Sequence, residues 1–209
     1  MTVNNIVNMA ALKGLHLIAL TDHNSCRNCP AFLQVAEAAG ILAVPGMEIN
    51  TSEEIHAVCL FKTLETAMAF DQYVYDRLPD IQNRPDVFGE QQLCNADDQI
   101  VGTVPKLLIN ASGVSFSELD MLMEFYHGIY FPSHIDRSSY SLLANLGFVP
   151  EESRFPAFEL SEMEHYQDIV SQNPILLHLP CLHNSDAHYL WDISEGENVL
   201  DERIAALLL

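Results

Sequence analysis

Basic residues are scarce in this sequence. Nine Lys and Arg stand against 29 Asp and Glu, which gives a formal net charge of −20 at pH 7, and the basic residues form no stripe. Long nucleic acids and anionic membranes bind to clustered positive charge, so we expect neither as a partner. A small phosphorylated substrate stays compatible with this charge, because bound divalent ions would reverse the sign of the field inside a pocket.

Long apolar runs and a disulfide framework are missing as well. No run reaches the length of a membrane span, and the polar start has no signal-peptide pattern. Of five cysteines, only Cys26 and Cys29 are close together, which indicates a reduced, cytoplasmic protein. A structural zinc site would need a second pair. We therefore favour a polar turn with two incidental cysteines, although their closeness to His23 leaves a role at a site mouth open.

The sequence does contain alternating strand-like and helix-like segments. Its 209 residues, 49% of them hydrophobic, suit one domain spanning 1–209 with a full core. Apolar patterning predicts helices over 2–13, 30–39, 64–78, 115–126, 138–146, 162–170 and 200–208. It predicts strands over 15–20, 41–44, 56–61, 128–131, 155–160 and part of 175–182. Residues 79–105 are interpreted as an irregular insertion with a hairpin turn at 96–98. The alternation predicts an α/β fold with a mostly parallel sheet.

Six potential metal ligands lie at or beyond the ends of the predicted strands: His23, Glu48, His56, His134, Asp186 and His188. Imidazole and carboxylate groups are common ligands of zinc, manganese and iron. In α/β folds the chemistry collects at the carboxyl ends of strands. Side chains two residues apart on a strand point to the same side of the sheet, so Asp186 and His188 could bind neighbouring ions. Together these residues predict a metal-assisted hydrolase.

Several of the polar residues also have ordinary interpretations. Asp22 could orient a ligand or cap a helix, and a lone strand histidine such as His56 is usually a structural residue. Asp136 could orient a ligand or cap a helix beginning near Ser138. His183 could be an extra ligand or a loop residue. Single residues therefore decide little, and the prediction depends on the whole set.

The joint pattern resembles the PHP (polymerase and histidinol phosphatase) family, and most closely its stand-alone bacterial metal-dependent phosphoesterases. The matching segments occur in the family's order: Ala19-Leu20-Thr21-Asp22-His23-Asn24, Val44-Pro45-Gly46-Met47-Glu48, Ile55-His56-Ala57-Val58-Cys59-Leu60-Phe61, Pro132-Ser133-His134-Ile135-Asp136 and Ser185-Asp186-Ala187-His188. The resemblance implies a distorted seven-stranded, TIM-like β/α barrel. It also implies up to three divalent ions, commonly zinc, manganese or iron.

The resemblance also implies roles for the ligands. Glu48 would bridge two ions, with His56 and His134 completing one of these positions and Asp186 joining Glu48 on the other. A third position would be held by His23 and His188. A carboxylate can bridge two cations, whereas a single imidazole cannot.

The chain departs from the family at its first motif, a His-x-His that normally ends the first strand. No histidine precedes His16, and residues 1–6 resemble the helix that follows the motif. We therefore expect that an N-terminal segment with the first strand is absent from this chain. Fewer than three ions would then bind, and an unpaired strand edge would favour a homo-oligomer.

The function implied by the resemblance is hydrolysis of a phosphate ester, such as histidinol phosphate, by water that the metal ions activate. Asp22 or Asp136 would handle protons beside the ligands. Two alternatives stay open at this point. One is a nuclease or phosphodiesterase that acts on short oligonucleotides, and the other is a metal-binding module with impaired catalysis.

Overall fold

The computed structural model describes residues 1–196 and 198–209 and has a mixed α/β fold. Its helices are α1 (Val3–Leu12), α2 (Cys29–Ala39), α3 (Leu64–Arg77), α4 (Pro85–Phe88), α5 (Leu119–Tyr126), α6 (Leu142–Leu146), α7 (Tyr166–Gln172) and α8 (Glu202–Leu208). Its strands are β1 (Leu17–Leu20), β2 (Leu42–Asn50), β3 (His56–Phe61), β4 (Gln92–Cys94), β5 (Ile100–Thr103), β6 (Gly128–Pro132), β7 (Phe158–Glu159) and β8 (Cys181–Leu182). Within these residues, no helix is both long enough and apolar enough to cross a bilayer.

The central sheet has the order β1-β2-β3-β6 and is not mostly parallel, contrary to the prediction from sequence. Strand β2 pairs in parallel with β1 through Leu42–Pro45 and antiparallel with β3 through Gly46–Asn50. The pair β3–β6 is also antiparallel. A parallel pair needs a long crossover connection, whereas a short turn can join only antiparallel strands. Only residues 51–55 separate β2 from β3, and this connection fixes the antiparallel arrangement.

The strands do not close into a seven-stranded barrel in the part of the chain that the structure describes. Instead, β4–β5 and β7–β8 form two separate two-stranded sheets. The strand predicted over 155–160 shrinks to Phe158–Glu159, and the one within 175–182 to Cys181–Leu182. Pro156 and Pro180 lie beside these strands and lack the N–H group that a longer ladder would need.

The central sheet separates two hydrophobic clusters. The larger cluster lies under α1, α2, α3 and α5 and includes fully buried aromatic residues such as Phe32, Phe61 and Phe70. The smaller one joins the sheet to the C-terminal helix and consists of Val44, Leu60, Phe131, Ala157, Leu182, Ile204 and Leu208. The sheet is therefore covered on both faces, which fits its nearly continuous apolar strands.

The helix predicted over 138–146 begins later than expected. Helix α6 starts at Leu142, and the Ser141 hydroxyl caps it by accepting a hydrogen bond from the Ala144 N–H at 3.2 Å. Tyr140 has a φ of +52°, a left-handed conformation that cannot belong to a right-handed helix. The residues before Ser141 instead form the loop that follows His134.

The insertion contains the predicted hairpin. Strands β4 and β5 pair antiparallel, and Asn95 closes the turn by accepting hydrogen bonds from the N–H groups of Asp97 and Gln99. The turn is fastened to the start of α1, because the Asp98 carboxylate accepts hydrogen bonds from the Thr2 hydroxyl at 2.7 Å and the Asn4 N–H at 3.2 Å. The hairpin is thus an integral part of the fold.

Candidate metal centre

Three of the predicted ligands converge at the point where β1, β2 and β3 meet. His23 follows β1, Glu48 lies in β2, and His56 is the first residue of β3. Donor atoms of these three side chains all lie within 4.8 Å of one another, which makes them a candidate metal-binding group. Glu48 lies inside its strand and not beyond the end predicted at Val44, because the antiparallel pairing with β3 extends β2 to Asn50.

The two carboxylate oxygens of Glu48 face different histidines. Oε1 lies 3.4 Å from Nδ1 of His56 and 3.5 Å from Nε2 of His134. Oε2 lies 3.2 Å from Nδ1 of His23. The carboxylate is buried, with 7% of its side chain exposed. His134 thus joins the group, and Glu48 lies at its centre.

Two imidazole nitrogens in this group have no hydrogen-bond partner among the described residues. They are Nδ1 of His23 and Nδ1 of His134, and both are buried. The His23 nitrogen is close to Glu48, but it does not have the alignment of a hydrogen bond. Buried polar atoms are nearly always paired. The unpaired nitrogen of His23 beside the buried carboxylate of Glu48 therefore fits a divalent cation, which would accept its lone pair.

The electrostatics of the group keep its carboxylate ionised. Burial by itself would raise the pKa of Glu48, but hydrogen bonds from His134 and His56 and the adjacent imidazoles hold this pKa well below its usual range. Burial lowers the pKa of His23, although Glu48 opposes the shift. Burial would also lower the pKa of His134, but the hydrogen bond to Glu48 and the charge of that carboxylate together outweigh this effect and raise the pKa. An ionised carboxylate and a neutral imidazole are the forms that bind metal.

Asp186 and His188 lie in a loop and not on a strand, contrary to the prediction that they share one strand face. Asp186 has a left-handed backbone, with φ +45°, which ends any extended structure there. Its carboxylate accepts a hydrogen bond from Nη1 of Arg137 at 2.8 Å. The His188 ring is centred 6.0 Å from that of His23, and its side chain is 60% exposed. The loop thus borders the group from the solvent side.

The two predicted proton carriers have different surroundings. The Asp22 carboxylate accepts one hydrogen bond from a described side chain, that of Asn28 at 3.2 Å, and burial raises its pKa. The Asp136 carboxylate accepts hydrogen bonds from the N–H groups of Ser161 at 2.8 Å and Glu162 at 3.0 Å. It also contacts His165 at 2.9 Å. Asp136 therefore fastens the segment before α7, and it does not cap a helix near residue 138.

The sequence analysis did not identify the residues that contact and position the candidate ligands. Asn24 is fully buried beside His23, and its side chain bonds to β2 and to the segment after the insertion. The Tyr140 ring stacks on His56 with centroids 4.9 Å apart. Glu159 is buried in β7 and contacts the loop of His134. The sequence does contain one indication of Glu159, since it is a carboxylate inside the apolar run Phe155–Leu160.

A cavity of about 330 Å³ opens beside Asp186. Arg137, Glu159, His183 and Asn184 line it together with Asp186. Nδ1 of His183 lies 3.1 Å from the carbonyl oxygen of Leu160, a contact that gives this histidine a structural role in the loop. The guanidinium group of Arg137 is the basic group on the cavity wall, and its side chain is 45% exposed.

The two adjacent cysteines flank a turn at Arg27 and Asn28, as predicted, but both are buried in the core. Cys26 and Cys29 are both 0% exposed, and their thiols lie 3.2 and 3.5 Å from the Gly46 carbonyl oxygen. Burial raises the pKa of Cys26 well above its ordinary value. Helix α2 begins at Cys29, so packing of this helix against β2 draws both side chains inward.

Comparison with known proteins adds fold-level similarity to this geometry. The chain matches an amidohydrolase from Chromobacterium violaceum, solved with bound sulfate and no metal, at 14% identity and a TM-score of 0.66, with 100% of this chain and 92% of that chain covered. It matches a protein from Bifidobacterium adolescentis, provisionally described as a metal-dependent phosphoesterase, at 15% identity and a TM-score of 0.63, with 99% and 90% covered. At these identities the similarity establishes the fold alone.

A third similar structure is the lesion-specific endonuclease EndoQ from Pyrococcus furiosus. It shares 17% identity and a TM-score of 0.64, with 100% of this chain and 51% of that chain covered, so the chain spans about half the length of the endonuclease. An Endonuclease Q complex with a 27-mer duplex substrate also matches, with a TM-score of 0.53. No curated protein matches the sequence.

The family is established by a direct match between the sequence and a family model. The model of the PHP domain covers residues 1–144, which include β1, β2, β3 and β6 together with His23, Glu48, His56 and His134. The resemblance noted from the sequence motifs is thereby confirmed. The chain belongs to the PHP domain family.

Proposed function

We propose that this protein is a metal-dependent phosphoesterase that hydrolyses a small phosphomonoester, such as histidinol phosphate or a similar compound. The main support for the proposal is the environment of Glu48, a buried ionised carboxylate that faces three imidazoles. Two of these imidazoles have a nitrogen without a hydrogen-bond partner among the described residues. We further propose that residues 1–209 form a single PHP domain in which 79–105 is an insertion.

We assign the metal ligands as His23, Glu48, His56, His134, Asp186 and His188. The two oxygens of Glu48 face separate histidines, which supports a bridging role between two cation positions. The nitrogen and oxygen donor set suits zinc, manganese or iron. When bound, such ions neutralise phosphoryl oxygens and lower the pKa of water, which supplies the nucleophile at neutral pH.

The chain's own residues bind and orient the substrate and handle protons. Asp22 is next to the proposed ligand His23. Among the described side chains only that of Asn28 donates a hydrogen bond to its carboxylate. The carboxylate can therefore accept a further proton donor, and we assign it the proton-handling role. Asp136 has both carboxylate oxygens engaged, and we assign it to positioning of the segment before α7. The cavity beside Asp186, with Arg137 on its wall, supplies space for the substrate.

A second candidate is a nuclease or phosphodiesterase on short oligonucleotides. The similarity to Endonuclease Q, whose complex holds a duplex, conflicts in part with the expectation that long nucleic acid is not a partner. The net charge of −20 opposes binding to a long duplex but not to a few nucleotides. The third candidate, a metal-binding module without catalysis, would bind ions and turn over neither class of compound.

Turnover measurements separate these candidates. We would compare the hydrolysis of histidinol phosphate with that of a dinucleotide in the presence of Zn²⁺, Mn²⁺ or Fe²⁺. The proposal predicts turnover of the phosphomonoester and its loss in Asp186→Ala. Asp80→Ala changes an exposed carboxylate and is the control. Faster turnover of the dinucleotide would favour the nuclease, and unchanged turnover in Asp186→Ala would refute the assignment of this ligand.

A further inference from the structure

Two of the proposed metal ligands have a strained backbone. His134 has a φ of +32° and Asp186 a φ of +45°, and neither is a glycine. L-amino acids adopt such conformations rarely, and they persist only where surrounding contacts hold them. The contacts that hold these two residues therefore decide where their side chains are placed.

Glu159 makes such contacts with both loops. Its Oε1 accepts a hydrogen bond from the N–H group of His134 at 3.3 Å, and its Oε2 accepts one from Nδ2 of Asn184, two residues before Asp186, at 2.5 Å. Its carbonyl oxygen accepts a third from the N–H group of Ile135 at 2.9 Å. One residue is thereby bonded to the segments that carry both strained ligands.

The position of Glu159 follows from the pairing of β7 with β8. Glu159 is aligned with Leu182 in this parallel pair, so the residue lies between the loop after β6 and the loop after β8. It is 4% exposed, and the neighbouring residues Phe158 and Leu160 are fully buried. A buried carboxylate is costly to desolvate, and a hydrophobic residue in this strand would avoid that cost.

We propose that Glu159 is a positioning residue of the metal centre. Its two carboxylate oxygens hold the loops of His134 and Asp186 in the left-handed conformations that direct both side chains toward Glu48. This inference rests on the proposed metal site. It assigns Glu159 no contact with the ion or the substrate.

The conservative variant Glu159→Gln tests whether Glu159 acts through its hydrogen bonds or through its negative charge. Its amide oxygen can still accept the hydrogen bond from His134. Its amide nitrogen can donate to Oδ1 of Asn184 once the Asn184 amide turns over, so the geometry of both loops is kept. Glu159→Leu removes both acceptors while it still fills the space. Glu162→Gln is the matched control, because Glu162 is exposed on the wall of the same cavity.

The test is calorimetric titration with Mn²⁺ of chelator-treated protein, with the melting temperature measured for each variant. Glu159→Leu should lower the Mn²⁺ affinity about 10-fold to 100-fold, the range typical when a partner of a metal ligand is lost. Glu159→Gln and Glu162→Gln should bind like the wild type. If Glu159→Leu does not fold, Asn184→Ala removes one of the two contacts and should weaken binding at an unchanged melting temperature.

Each other outcome overturns the inference. Equal affinity in the wild type, Glu159→Leu and Asn184→Ala would show that Glu159 does not position the ligands. A loss in Glu159→Gln as large as in Glu159→Leu would show that the charge itself is needed. A wild-type protein that binds no Mn²⁺ would instead refute the proposed metal site, and with it the inference.

Discussion

At the scale of single residues, Asn24 connects the candidate metal centre to the rest of the fold. Its Oδ1 accepts a hydrogen bond from the Asn50 N–H at 2.9 Å, and its Nδ2 donates to the carbonyl oxygens of Leu108 at 2.7 Å and Asn110 at 2.9 Å. Its backbone N–H donates to the Glu48 carbonyl oxygen at 2.9 Å. Its φ of +49° is one that asparagine tolerates better than most residues.

Replacement of Asn24 by aspartate should destabilise the protein. The two side chains have nearly the same shape, but a carboxylate cannot donate to the carbonyl oxygens of Leu108 and Asn110 and would repel them. We expect a loss of at least about 2 kcal/mol in the free energy of unfolding, measured by urea denaturation. Asn8→Asp changes an exposed asparagine in α1 and is the control. Equal stability of the two variants would contradict this role.

The candidate site residues that the sequence could indicate are those at or just beyond an end of an apolar strand. His23 and His56 were found because β1 precedes the first and β3 begins at the second. Glu159 and Asn24 could not be found in this way, because their roles depend on partners 25 or more residues away. Periodicity records which face of an element is apolar, and it contains no information about such distant pairs.

At the scale of elements, strand β2 joins the two halves of the candidate site, because it pairs with both β1 and β3. It changes partner type at Gly46, with a parallel neighbour before and an antiparallel neighbour after this residue. A Cβ atom at Gly46 would lie 2.5 Å from the Cys59 carbonyl oxygen and 2.7 Å from Cδ2 of Leu60. The close approach of β2 and β3 thus requires glycine at this position, and the same approach brings Glu48 beside His56.

Gly46→Ala should therefore push β2 and β3 apart. Overpacking of this kind destabilises proteins by about 1–3 kcal/mol, and the displaced strands should also bind metal more weakly. Gly102→Ala is the control, because a Cβ atom there meets only Cδ1 of Leu93 at an ordinary 3.8 Å. Thermal denaturation of both variants provides the measurement. A melting temperature of Gly46→Ala equal to that of Gly102→Ala would show that the sheet tolerates the extra methyl group.

The attachment of the insertion to α1 should depend on pH. Burial is the largest single influence on Asp98 and opposes its ionisation, but the hydrogen bonds from Asn4 and Thr2 together outweigh it and lower the pKa of Asp98 below its ordinary value of 3.8. Because the folded pKa is the lower one, this carboxylate stabilises the fold at pH values above 3.8 and ceases to do so as the pH falls through the folded pKa.

The Asp98→Asn variant tests this dependence. At neutral pH it should be less stable than the wild type, and the difference should shrink as acid protonates Asp98. Urea denaturation at a series of pH values from neutral to acid measures the difference. Asp97→Asn alters the exposed neighbour in the same turn and is the control. A stability difference that does not change with pH would contradict an ionised Asp98 in these contacts.

The elements themselves were predicted best where local signals are strong. Strand β3 has the predicted limits, and α2 ends before Gly40, whose φ of +71° suits the end of a helix. The prediction of a mostly parallel sheet was wrong for the pairs β2–β3 and β3–β6, because an apolar run has the same appearance in parallel and antiparallel strands. The length of β7 was also wrong, since the adjoining prolines limit pairing more than the apolar pattern extends it.

At the scale of the whole molecule, an acidic protein surrounds a cluster of histidines. The chain carries a net charge of −20, and three of its nine histidines, His23, His56 and His134, surround the carboxylate of Glu48 in β2. A negative surface attracts divalent cations. The net charge of the chain would therefore favour occupation of the candidate metal centre.

The most direct test of this account is the metal content per chain, measured by plasma mass spectrometry on protein purified without chelator. We predict at least one zinc, manganese or iron ion per wild-type chain and a clear reduction in Glu48→Gln, which removes the central charge. Glu37→Gln, an exposed change in α2, should keep the wild-type content. A wild-type protein without metal, or equal metal in Glu48→Gln, would contradict a metal centre built on Glu48.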